Sequence, residues 1–143
     1  MVLGIDTGVL VNWMMDGLTH HESVRDLFQR EIRNGNQLGF TPQVLFEFIH
    51  ICTDSKRFQH PLKMAEATAA CTDLWNAREV AQLMPEPSLI FETLALLDQM
   101  KLGRKRILDT ALAVTLKQAG VSRLATLNKK DFAVFPFLEI VVP

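Results

Sequence analysis

Short apolar runs bounded by turn residues alternate with stretches of helical period along the whole chain, and this alternation most constrains the fold. Such runs read as buried strands, and strands separated by helices pair in parallel, because a helical crossover returns the chain to the same end of the sheet. The opening run, Val2 to Leu10, carries Asp6 and Thr7 into a turn. Gln37 to Phe40, Val80 to Met84, Arg123 to Thr126 and Leu138 to Val142 supply the other strands. A helix opened by Thr19 or His20 spaces Val24, Leu27, Phe28 and Ile32 along one face and stops at Asn34-Gly35. Thr41-Pro42 opens the next, with Thr as cap and Pro at the first helical position, and the helix runs to about Thr53. Further helices are predicted over Leu62 to Ala77, Ser88 to Lys101 and Ile107 to Gln118, broken by Gly103 and Gly120. The expected class is α/β, with a central, mostly parallel sheet of about five strands covered by helices on both faces.

At 143 residues and 48% hydrophobic, the chain is long enough for one good core and too short for two ordinary domains, so a single domain over residues 1–143 is expected. A net charge of −1 exerts no overall pull on polyanions, which leaves nucleic-acid binding to a local patch. Lys101, Arg104, Lys105 and Arg106 form such a cluster just ahead of the last long helix, and the alternative for them is a solvated turn. Cys52 and Cys71 have neither CxxC spacing nor neighbouring histidines, which argues against zinc and against a disulfide scaffold and suits a reducing cytoplasm. The apolar opening has no basic leader and is interrupted by Asp6, so neither a signal peptide nor a membrane span is expected.

Three carboxylates stand where strand ends and helix starts bring chemistry together. Open α/β sheets place their sites beyond the carboxyl ends of strands, which is where Asp6 falls; its other reading is a cap for the following helix. Glu47 interrupts Val44-Leu45-Phe46-Glu47-Phe48-Ile49-His50-Ile51 at the border of the apolar arc, where it either reaches solvent or sits partly desolvated and needs a partner. Asp109 opens an otherwise apolar helix, a position that also favours an acid through the helix dipole. Arg123 to Phe132 repeats the opening design, a strand that ends in Thr126 with polar groups just beyond. Separated carboxylates without clustered His or Cys prefer hard cations, so Mg²⁺ or Mn²⁺ is the expected guest. No GxSxG elbow, GxxxxGK[ST] loop or dinucleotide fingerprint is present. An aspartyl-phosphate mechanism fits poorly, since Gly8 stands where a second Asp would be needed.

The ordered set of these motifs resembles the PIN-domain nucleases, and among them the compact VapC-type ribonucleases of bacterial toxin–antitoxin pairs. The matching pieces are Ile5-Asp6-Thr7 with Val9-Leu10-Val11-Asn12, the helix start from Thr41-Pro42 to Glu47-Phe48, and Asp109-Thr110-Ala111-Leu112-Ala113 with Gly120-Val121. Leu124-Ala125-Thr126-Leu127-Asn128, Asp131-Phe132 and Val141-Val142-Pro143 complete it. The resemblance implies a three-layer α/β/α fold in which Asp6, Glu47 and Asp109 bind a divalent ion that activates water against an RNA phosphodiester. Many relatives carry a fourth acid where this chain has Asn128, whose amide would orient a metal-bound water; Asp131 either compensates or is structural beside Phe132. Thr7 and Thr126 are expected to support the ligands through their hydroxyls. Arg104, Lys105, Arg106, Lys129 and Lys130 are candidate phosphate contacts. Partners implied are RNA, a VapB-type antitoxin whose tail enters the acidic groove, and a second copy of the chain. The last also rests on apolar residues such as Met64, Leu74, Trp75, Leu94 and Leu97, which exceed what one small sheet needs. The competing reading, prompted by Asn128, is a PIN-like module that binds RNA or protein without cleaving it.

Overall fold

The computed structural model describes residues 1–143. Strands β1 (Val2–Ile5), β2 (Gln37–Phe40), β3 (Val80–Gln82), β4 (Arg123–Ala125) and β5 (Glu139–Val141) form one all-parallel sheet in the order β3-β2-β1-β4-β5. Seven helices accompany it: α1 (Thr7–Met14), α2 (His21–Arg33), α3 (Pro42–Cys52), α4 (Met64–Trp75), α5 (Leu89–Gln99), α6 (Ile107–Gln118) and α7 (Lys129–Phe132). The chain steps outward from β1 through β2 to β3, then crosses back to β4 and β5 on the other side. Right-handed crossovers in opposite directions lay helices on opposite faces, which gives the three layers. The same reversal opens a crevice at the carboxyl ends of β1 and β4, where ligands of open parallel sheets bind.

The apolar opening run divides in two. It pairs as a strand only to Ile5, and Thr7–Met14 is helix α1, with Thr7, Val9, Leu10 and Val11 buried. An apolar run buried on all sides carries no period that separates strand from helix, so the boundary is set by Asp6, whose extended backbone and side-chain cap start the helix. The one-turn α7 is too short to show any period. The remaining elements agree with the sequence pattern to within two residues at most of their ends.

Gly4 lets α6 lie against the sheet: a Cβ there would stand 2.7 Å from Leu116 Cδ2 and 3.2 Å from the Arg123 carbonyl oxygen. That close approach sets the depth at which α6 carries Asp109 toward the end of β1. A core of 26 buried residues spans the sheet and its helices. Leu74 belongs to it and Trp75 packs against it, so these two are not surplus apolar surface, whereas Met64 and Leu94 are exposed. No helix is long and apolar enough to cross a membrane.

Candidate active site

Asp6 sits at the crevice, 8% exposed, and serves at once as cap and as candidate ligand. Its Oδ1 accepts from the Thr7 N–H at 2.8 Å and its Oδ2 from the Thr126 hydroxyl at 2.7 Å. The Asp6 N–H donates to the Ala125 carbonyl at 3.0 Å, so the ends of β1 and β4 are joined by backbone and side chain together. Thr126 acts through its hydroxyl as expected, and that hydroxyl in turn accepts from the Asn128 N–H at 3.0 Å. Thr7 differs: what it gives Asp6 is its backbone N–H. Burial raises the Asp6 pKa despite these two hydrogen bonds, and the charges of Glu47 and Asp131 push it the same way.

Asp109 lies in the first turn of α6, half-buried. Its pKa is pushed up to about 6 by burial first, then by the charges of Asp6 and Asp131; Arg106 opposes the rise and Glu47 adds to it. Glu47 is half-buried on α3 and is tied to α6 through Gln43, a residue that sequence reasoning missed. The Gln43 amide donates to Glu47 Oε1 at 2.9 Å and to the Leu108 carbonyl at 3.0 Å, beside Asp109. The available signal was its spacing, four residues before Glu47 on one helix face.

Asp131 is claimed by Arg106, whose Nη1 lies 3.1 Å from Oδ1 and also donates to the Asp131 carbonyl at 2.7 Å. Arg106 therefore differs from the rest of its cluster: it is committed to an internal ion pair, while Arg104, Lys105, Lys129 and Lys130 are exposed and make no ion pair. Asn128 is exposed at the start of α7, and its side chain does not cap that helix.

Asp6 and Asp109 thus share one neighbourhood with Glu47 and Asp131, whose charges both of them feel. No three His, Cys, Asp or Glu groups, however, stand close enough to enclose a single ion. The donor chemistry, oxygen only and anionic, still suits a hard divalent cation, because Mg²⁺ usually keeps several waters and takes only one or two carboxylates directly. Cavities of 330, 300 and 350 Å³ lie among residues of α1 to α4, β2 and the start of β3, away from these acids.

A parallel sheet with acids gathered at its switch point and a hydroxyl from the neighbouring strand supporting the first of them is the arrangement of a PIN-like α/β fold. No family model matches the chain. Ribonuclease VapC24 of Mycobacterium tuberculosis is 27% identical over 142 residues, 99% of this chain and 97% of the relative. Among solved structures, Mycobacterium tuberculosis VapC20, described as a Sarcin-Ricin loop cleaving toxin, superposes with a TM-score of 0.73 at 13% identity, over 94% of this chain and 95% of that one. VapBC2 from Rickettsia felis, bound to a DNA fragment from its promoter, gives a TM-score of 0.69 at 16% identity, covering 100% and 99% of the two chains. Over its whole length the chain is thus similar to a VapC ribonuclease and shares the fold of VapC toxins.

Proposed function

We propose that the protein is a Mg²⁺- or Mn²⁺-dependent endoribonuclease and the toxin of a VapBC-type pair. The observation that carries this reading is the convergence of Asp6, Glu47 and Asp109 at the β1/β4 crevice, in a chain alignable from end to end with a ribonuclease of the same type. Asp6 and Asp109 would hold the ion, Asp6 oriented by the Thr126 hydroxyl and the Thr7 N–H. Glu47, fixed through one oxygen by Gln43, keeps Oε2 to orient the attacking water or take its proton. When bound, the cation supplies Lewis acidity, stabilising phosphate charge and lowering the pKa of water. Arg104, Lys105, Lys129 and Lys130 are free to contact RNA phosphates, and the Asn128 amide is free to orient substrate or water.

A VapB-type antitoxin is the proposed protein partner, supported by the VapBC structures the fold matches. A second copy is the other: α5 packs within the chain chiefly against α6 and leaves Ile90, Phe91 and Leu94 58–76% exposed. The buried, unpaired thiols of Cys52 and Cys71 are consistent with work in the cytoplasm. The test is cleavage of RNA by purified protein with and without Mg²⁺ or Mn²⁺, beside the Asp6→Asn variant. Metal-dependent cleavage lost in the variant supports the nuclease; RNA binding with no cleavage in either protein supports the non-catalytic module that the exposed, uncharged Asn128 favours.

A further inference from the structure

The site contains one cation that is built in rather than recruited. Arg106 ends the short 3₁₀ turn Arg104–Arg106, three residues ahead of Asp109, and its carbonyl accepts from the Thr110 hydroxyl at 2.6 Å, which fixes its backbone to the first turn of α6. Its guanidinium grips α7 twice, through the Asp131 carboxylate at 3.1 Å and through the Asp131 carbonyl at 2.7 Å. The side chain is 26% exposed, unlike the solvated Arg104 and Lys105 beside it. Both contacts are made by the one nitrogen Nη1, so a single charged donor ties the first turn of α6 to α7.

Arg106 therefore sets where Asp131 stands. Asp131 is one of the charges that Asp6 and Asp109 both feel, and Arg106 is the cation that counters them at Asp109. Resting on the nuclease reading above, we propose that Arg106 is a positioning residue and resident counter-charge: it holds Asp131 at the acidic rim and competes with an incoming divalent ion for the field of the carboxylates. The Arg106 charge then tunes cation affinity downward, against the pull of Asp131, so that occupancy depends on the extra negative charge that a substrate phosphate brings.

Removing the charge and keeping it have different consequences, which makes the idea testable by Mn²⁺ titration calorimetry on the full chain, independently of RNA cleavage. Arg106→Gln deletes the positive charge and releases Asp131, so the Mn²⁺ Kd should fall roughly tenfold, as expected for loss of a nearby like charge in a partly screened site. Arg106→Lys keeps the charge on a single nitrogen donor, so its Kd should stay within about threefold of wild type. Asp131→Asn leaves the cation without its partner and should weaken Mn²⁺, and the double variant should return close to wild type. If Arg106 is a brace and nothing more, Gln and Lys will behave alike, with Kd unchanged or weaker, and the proposal falls. Should Arg106→Gln fail to fold, Asp131→Asn decides: an unchanged Kd overturns the proposal. Wild-type protein that binds no Mn²⁺ overturns the metal-dependent reading and this one with it, whereas wild-type binding with no difference among variants overturns this one alone.

Discussion

Strand β4 begins at a closed ion pair and leads, one residue past its end, to an open set of acids. At its start Arg123 reaches Glu31 through two parallel hydrogen bonds, Nη1 to Oε2 at 2.9 Å and Nη2 to Oε1 at 3.1 Å, and Asn36 adds a third at 2.8 Å. Just past its end Thr126 donates to Asp6, whose other neighbours include like charges. Glu31 and Asp6 are both buried, at 3% and 8% exposure. The hydrogen bond from Arg123 nevertheless holds the Glu31 pKa below its usual value, while burial lifts Asp6 and Asp109 above theirs. Burial alone does not decide the sign; the charge of the partner does. One end of the strand is a stability device, whereas the other leaves Asp6 and Asp109 without an ion-pair partner, which costs stability.

The sharpest way to break this contrast is to remove a carboxylate at the active end. Asp6→Asn or Asp109→Asn should lower RNA cleavage by about a thousandfold while the protein stays folded, since each change removes an interaction with the reacting charge. Asp109→Asn should also raise the metal-free Tm by about 3 °C, after discounting for the screening of a half-exposed group. Cleavage assays and thermal melts of both variants check the pair of effects.

At the other end the expected outcome is reversed. Glu31→Ala leaves Arg123, 17% exposed, without its partner and should cost about 2 kcal/mol of stability by denaturant titration. Cleavage by the folded fraction should be unchanged.

The two ends also predict opposite slopes of stability against pH. Glu31 has a depressed pKa in the folded state, so its contribution is present above its ordinary value of 4.5 and is lost as pH falls. Asp109 titrates at about 6 instead of 3.8, so the folded protein holds the extra proton between those values and loses stability as pH rises through that window. The metal-free Tm should therefore peak between about pH 3.8 and 4.5, falling with acid below it and with rising pH above it. Glu31→Gln should blunt the acid-side fall, and Asp109→Asn the other; melts across pH test each separately.

The smallest effect belongs to Asn128, because its side chain is exposed and solvent screens it. Asn128→Asp should tighten Mn²⁺ by about twofold to threefold and lower the metal-free Tm by roughly a degree. Calorimetry and melting with and without Mn²⁺ give both numbers; no change in either would place Asn128 outside the ion's surroundings.

The sequence by itself determined the alternation of strands and helices, the cap at Thr41-Pro42 and the candidacy of Asp6, Glu47 and Asp109. Each of those signals is local: an apolar period, a capping residue before a helix, or a charge out of place in an apolar run. Tertiary structure alone divided Val2–Leu10 into strand and helix, because a run buried on every side has no polar face to mark its period. It alone revealed that Arg106 is spent on Asp131, 25 residues away, and that Glu31 and Arg123 pair across 92 residues. Gln43 held a visible place beside Glu47, but its second bond, to Leu108, spans 65 residues. Which charge meets which is fixed when the crossovers bring distant helix ends to one edge of the sheet, and neither a window of neighbouring residues nor the composition carries that information.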